Sequence, residues 1–295
     1  MNNQNKLFIF GEVLFDCFPT GEKVLGGAPF NVAWNLHSFG DEPRFISRIG
    51  KDDYGYKILT AMQQCGMNRE SVQIDEKRPT GLVEVTIQNN EPRYNIVKDS
   101  AYDFIDTELL PDPAVGGILY HGTLCLRNKI SRNAYDKIRQ NHNLKIFIDV
   151  NLRSPWWQKD DVLTSLNHAH WVKMNEHELD LLIDTAEDIH IKMSTLQKSY
   201  KLEQVIITRG AKGTIILTDD NNFHSQPVEK VEELVDTVGA GDAFSSVYIH
   251  GLRACWPVDK NLHRAQQFAG KVIGLRGATT TDLNFYQEFM VSIAP

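Results

Sequence analysis

Short apolar runs alternate with helix-like stretches along nearly the whole chain. Leu7–Phe10 is compact, apolar and closed by Gly11, which reads as a first strand. A helical pattern follows from Ala28 to Phe39 and stops at Gly40. Phe45–Ile49 reads as a strand, and Tyr54 to Cys65 as a helix stopped by Gly66. Further strands are expected at Ile118–Tyr120, Lys145–Val150, Trp171–Met174, Val205–Thr208 and Thr214–Thr218, with helices between most of them. Such β-α repetition implies an α/β fold, a doubly wound and mostly parallel sheet with helices on both faces. One stretch breaks the rhythm. Leu82–Ile87 alternates, Asn89-Asn90-Glu91-Pro92 turns, and Arg93–Val97 resumes, which predicts a hairpin with one solvated face. We expect one domain over 1–295, with a small β lid from about residues 13–24 and 80–98.

Composition excludes several classes. The 295 residues are 42 % apolar and 23 % charged, ordinary for a chain that buries its own core. A net charge of −7 argues against a nucleic-acid binder, which needs a basic face. A single nucleotide is still compatible, because backbone dipoles and a few cations suffice to hold it. Cys17, Cys65, Cys125 and Cys255 are scattered without ligand spacing, as expected of reduced thiols in a cytoplasmic protein. No run approaches the roughly 18 apolar residues of a membrane span, and Met1–Lys6 lacks a signal-like core.

The chemistry is concentrated in Asp236-Thr237-Val238-Gly239-Ala240-Gly241-Asp242-Ala243-Phe244. A small-residue turn here feeds a helix running from Phe244 to Arg253. Free N–H groups at such a helix start cradle an anion, and Gly239 and Gly241 let backbone approach a phosphate. Asp242 sits on the first turn. Either it caps the helix, or it takes a proton from an attacking hydroxyl. No GxxxxGK[ST] loop occurs, nor GxGxxG after the first strand, so neither a P-loop enzyme nor a dinucleotide dehydrogenase is indicated.

Other motifs carry weaker signals. Gly26-Gly27 precedes a helix bearing Asn31, whose amide offers a donor and an acceptor to a diol, or a cap to the helix. Asp16, after the first strand, can accept two hydroxyls or lie idle in a loop. Asn175 and Glu178 stand at i, i+3 on a helix start and supply oxygens suited to Mg²⁺ through water. The turn Thr208-Arg209-Gly210-Ala211-Lys212-Gly213 follows a strand at the end where open sheets bind ligands, so Gly210 and Gly213 could admit a nucleotide. Arg153 suits a carboxylate or phosphate, whether a substrate's or a neighbouring side chain's. Trp156-Trp157 reads as packing.

These segments together resemble the ribokinase-like (PfkB) carbohydrate kinases. DTVGAGDAF resembles that family's C-terminal signature and Gly26–Ala33 its glycine-pair sugar turn. Ile49–Gly55 is similar to its GxDxxG segment and Asp149–Arg153 to its DxNxR. Asn175–Glu178 matches NxxE, and Thr208–Gly213 the T-x-G-x-x-G turn. The six motifs stand in the family order over roughly residues 7 to 280.

The resemblance implies a ribokinase-like fold that moves the γ-phosphate of ATP to a sugar. Asp242 would be the base, beside a cradle of Gly239, Ala240 and Gly241. Asp16, Gly26, Gly27, Asn31 and Arg153 would hold the sugar. Asn175, Thr208, Arg209, Gly210, Gly213, Gly239 and Gly241 would hold the nucleotide. Asn175 and Glu178 would lie near Mg²⁺. Asp236, the Val238 carbonyl and the 276–279 loop would hold K⁺. Within the family, GGAPFNVA and DVNLRSPWW are most similar to fructokinases. A 2-keto-3-deoxygluconate kinase is the next reading, then nucleoside and aminoimidazole riboside kinases. The expected partners are a sugar and ATP, with neither nucleic acid nor membrane, and a homodimer through the lid edge.

Overall fold

The computed structural model describes residues 6–88, 91–111, 116–140, 143–227 and 238–293. Strands β1 (Lys6–Phe10), β2 (Leu14–Cys17) and β3 (Lys23–Gly26) lead into helix α1 (Ala28–Ser38). Then come β4 (Pro43–Gly50), α2 (Asp53–Cys65), β5 (Val72–Asp75) and the pair β6 (Gly81–Gln88) and β7 (Glu91–Ile96). The middle of the chain gives β8 (Gly117–His121), α3 (Lys129–Arg139), β9 (Leu144–Asp149), α4 (Lys159–Leu166) and β10 (Trp171–Asn175). After α5 (Glu176–Leu182) and α6 (Ile189–Tyr200) lie β11 (Gln204–Thr208), β12 (Thr214–Thr218) and β13 (Phe223–Gln226). Helices α7 (Ala240–Arg253), α8 (Val258–Val272) and α9 (Leu283–Ile293) close the fold.

Among the described residues the main sheet runs β13-β12-β11-β10-β9-β8-β1-β4-β5. It is parallel from β5 to β11 and antiparallel only at β12 and β13. Leu7 and Ile9 face one apolar core while Phe8 and Phe10 face another, which is why β1 is apolar at every position rather than at alternate ones. The order reverses around β1, and the carboxyl ends of the neighbouring strands open there into a crevice. No helix among the described residues is long and apolar enough to cross a membrane.

A second sheet, β3-β2-β6-β7, stands over that crevice's rim. Val83 and Val85 are buried while Glu84 and Thr86 are exposed, as the alternation predicts. Its strands begin at Leu14 and reach Gly26, slightly beyond the expected lid segment, and the expected turn residues Asn89 and Asn90 lie outside the described residues.

The lid is anchored by a residue to which sequence reasoning gave no role. Asp52 caps α2 by accepting the Gly55 N–H at 2.8 Å, and it also accepts the Thr80 N–H and hydroxyl at 2.8 and 2.7 Å. Thr80 in turn receives the Gly50 N–H, so the GxDxxG segment ties the core sheet to the start of β6. Burial pushes the Asp52 carboxyl up, but the Thr80 and Gly55 donors outweigh it and hold it below the ordinary carboxylate range. The associated stability is therefore present above that range and lost as pH falls through the lowered value. Asp52→Ala strands buried donors, and we expect a loss of about 2 kcal/mol at neutral pH, shrinking toward pH 3. Urea denaturation at the two pH values measures it; an unchanged midpoint would show that Asp52 anchors nothing.

Candidate active site

Helix α7 begins at Ala240, four residues earlier than the sequence suggests, with Gly239 as its N-cap. Gly239 has φ 84°, and a Cβ there would lie 2.3 Å from the Ala278 Cβ, so glycine is required both for the turn and for the close approach of the 276–279 loop. Asp242, on the first turn, accepts a hydrogen bond from Asn31 Nδ2 at 2.8 Å. Its other oxygen makes no hydrogen bond to the described residues.

Asn31 is therefore not a helix cap. Gly27 fills that place, at φ 107°, with its Cα packed so closely on the Glu12 carbonyl that a Cβ would come within 2.7 Å. That packing turns the start of α1 toward α7 and brings Asn31 to Asp242 across 211 positions of sequence.

These groups line one cavity of about 680 Å³. Gly26, Gly27 and Asn31 form one wall, and Val238, Gly239, Gly241 and Asp242 another. Asp16 on β2 and Arg153 stand at the lid side. Among the described residues Arg153 has no ion-pair partner, and it is exposed, so the alternative of a salt bridge to a neighbouring side chain is not realised there. The turn that presents it is held firmly: Asn151 adopts φ 40°, a conformation asparagine tolerates, and Leu152 N–H donates to Glu178 Oε1 at 2.7 Å.

Burial raises three carboxyl groups in the cavity. Asp242 is pushed up to about 6, with the Asn31 hydrogen bond opposing and Asp149 adding to the rise. Asp16 reaches about 6 against the pull of Arg153. Glu12, not singled out from the sequence, reaches about 7. Groups in this range are poised to exchange protons near neutral pH.

Behind Asp242 lies a network that sequence reasoning missed. Lys173 Nζ bonds Asp149 Oδ2 at 2.7 Å, both nearly fully buried, and Ser245 Oγ donates to the same oxygen at 2.8 Å. Lys173 Nζ also stands 3.4 Å from where a Gly241 Cβ would be, directly under the cradle. A lysine at the centre of an otherwise apolar strand, facing an aspartate motif, was the available signal.

The remaining predicted residues lie elsewhere. Asn175 and Thr208 sit opposite each other at the carboxyl ends of β10 and β11, outside this cavity. Arg209, Gly210 and Gly213 form the adjoining turn, where Arg209 is half-buried and its Nη2 donates to the Lys212 carbonyl, while Gly210, Ala211 and Lys212 are exposed. Asn175 and Glu178 form a reciprocal cap of α5, each accepting the other's N–H at 2.8 Å. Glu178 is buried, and burial raises its carboxyl above the ordinary range despite the Asn175 and Leu152 donors. Among the described residues no three His, Cys, Asp or Glu side chains converge as a metal site. Asp236 lies outside the described residues. Trp156 and Trp157 pack against the second core, as read from the sequence.

Residues 6–284 match the model of the pfkB family of carbohydrate kinases. The fructokinase of Salmonella typhimurium is 29 % identical over 266 residues, 84 % of this chain and 85 % of that one. The fold is similar to aminoimidazole riboside kinase from Salmonella enterica, solved with aminoimidazole riboside and an ATP analog, at a TM-score of 0.84 and 23 % identity over 98 % of this chain and all of that one. A double mutant of fructokinase from Vibrio cholerae O395, in fructose, ADP and potassium ion bound form, gives 0.82 and 22 % over 97 % and 98 %.

Proposed function

The chain belongs to the PfkB family of carbohydrate kinases, and from that premise we propose that it transfers the γ-phosphate of ATP to a primary hydroxyl of a monosaccharide, fructose or a close ketose. The observation that carries the reading is Asp242, held by Asn31 at the start of α7 with one oxygen unengaged, inside a cavity large enough for a hexose. The acceptor CH₂OH gives its proton to Asp242 as its oxygen attacks the γ-phosphorus, and the bond from phosphorus to the β-phosphate oxygen breaks. Backbone N–H groups at Gly239–Gly241 and the α7 dipole face the charge that develops on the phosphoryl oxygens. An exocyclic CH₂OH reaches that point with the ring held back by Asp16, Gly27 and Asn31. The lid sheet then shields the ring from water.

The nucleotide is assigned to the edge formed by Asn175, Thr208, Arg209, Gly210 and Gly213, leading to the cradle. When bound, Mg²⁺ would supply charge neutralisation for the transferring phosphates. Both Glu178 oxygens already accept backbone N–H groups, so the residues present fit an ion carried on phosphates and water better than one grasped by side chains. Glu178 then serves by fixing the turns at Asn175 and Leu152. A K⁺ site would use Asp236, the Val238 carbonyl and the 276–279 loop, which meets the cradle where Ala278 packs on Gly239. The likeness to a fructokinase and to a fructose-bound fructokinase supports a ketose acceptor.

One observation favours a second reading. Arg153 lines the cavity without an ion-pair partner among the described residues, which suits the carboxylate of 2-keto-3-deoxygluconate. The two acceptors differ by that charge. Turnover on a panel of fructose, 2-keto-3-deoxygluconate, ribose and nucleosides decides the class. We expect fructose to lead and Arg153→Ala to change its kcat/KM less than about tenfold. A tenfold or greater preference for the sugar acid, abolished by Arg153→Ala, would replace fructose with it.

A further inference from the structure

Glu12 lies just past the end of β1, on the turn beneath Gly27, and lines the same cavity. It is 3 % exposed, and its Oε2 is the one fully buried carboxyl oxygen among the described residues with no hydrogen-bond donor. Other buried carboxylates here are supplied: Asp149 by Lys173 and Ser245, Asp103 by Arg127, and Glu178 by two N–H groups. A buried acceptor without a donor costs stability, so it is retained where something else completes it. Resting on the acceptor-kinase reading above, we propose that Glu12 is a specificity-determining residue that recognises a second hydroxyl of the acceptor, one that takes no part in the transfer.

The surroundings fit a neutral hydroxyl better than a cation. Arg153 and Asp242 bear on Glu12 from the cavity, and Arg127 from behind. Tyr102, Tyr120 and Cys125 are close enough to feel its charge. Burial lifts its ionisation to about 7, so near neutrality the group can donate or accept, matching a hydroxyl that does either. The competing role is structural. Arg127 Nη1 is also buried without a partner, and a water between the two would make Glu12 a counter-ion only.

The experiment measures kcat/KM with ATP for fructose, 2-keto-3-deoxygluconate and ribose, then for monodeoxy analogues of the best acceptor that keep its reacting CH₂OH. In the wild type, one analogue is expected to lose about a hundredfold or more, because its missing hydroxyl strands Glu12. Glu12→Leu should bring the parent sugar down to that analogue's level and close the gap between them to within about threefold. Glu12→Gln, which keeps an acceptor, should preserve most of the gap and raise Tm at pH 8, since it removes an unpaired buried charge. Uniform loss across all acceptors, with a lower Tm for Glu12→Gln, would assign Glu12 to Arg127 and overturn the proposal while leaving the kinase reading intact. If Glu12→Leu does not fold, the Glu12→Gln pair of readouts decides alone. Absence of turnover by the wild type with every sugar would instead overturn the kinase reading, and this role with it.

Discussion

Asp242→Asn is expected to lower kcat by about 10²–10⁴-fold while leaving the fold intact, because the amide keeps the size and the Asn31 hydrogen bond but cannot take a proton. The wild type should show kcat/KM rising with pH through about 6 and then levelling, since only the ionised carboxylate serves as base. The stability effect has the opposite sign. A carboxyl whose folded ionisation is raised by burial favours folding less once the unfolded chain begins to ionise, so it weakens the fold increasingly as pH rises toward 6, and fully above that. Asp242→Asn should therefore melt higher than the wild type at pH 8 and equally at pH 3. Calorimetry and steady-state rates on the same protein read both. Near-normal turnover with unchanged melting would remove Asp242 from the chemistry.

How far the site was legible depends on whether its logic is local. The turn at Gly239–Gly241 that feeds α7 is a local event, written in consecutive small residues, and it is visible in the chain, although the helix itself starts four residues before the expected Phe244. Most of the parallel strands were visible because both faces are covered and apolar residues dominate them, as with Leu7–Phe10. Strands β5 and β13 were missed, while β2 and β3 were expected only as part of a β lid over about residues 13–24, without bounds of their own. Each of these four strands is four residues long, too short for alternation to show, and β2 gains its place by pairing with β6 on one side and with β3 on the other. Asn31 illustrates the limit. From the sequence it could cap a helix or touch a sugar, and only packing of Gly27 on Glu12 settles that it meets Asp242. Asp52 was read as part of a motif, yet its work is to fasten Thr80, 28 residues away. Glu12 and Lys173 are long-range cases too, since the groups that face them come from segments distant in sequence, as Asp149 does for Lys173.

Lys173 carries the second large effect, and its consequences separate stability from catalysis. Lys173→Met leaves Asp149 buried with only neutral donors, Ser245 and the more distant Tyr120 hydroxyl. Removing one partner of a buried pair costs about 3–5 kcal/mol, whereas replacing both with apolar groups is often neutral. The double variant Lys173→Met with Asp149→Leu should thus recover most of the stability that the single variant loses. Asp242 responds differently. Lys173 holds its ionisation down and Asp149 pushes it up, so the single variant removes the cation and keeps the opposing charge. The acid limb of kcat/KM should then move to higher pH in Lys173→Met and return toward the wild-type position in the double variant. Turnover at high pH should stay depressed in both, because Lys173 stands beneath the Gly241 backbone that the proposed mechanism sets against the phosphate. Denaturant midpoints and pH–rate profiles on the three proteins test each part. A double variant as unstable as the single one would mean that Lys173 supports the cradle by packing rather than by charge, and an unmoved acid limb would mean that Asp242 does not sense the pair.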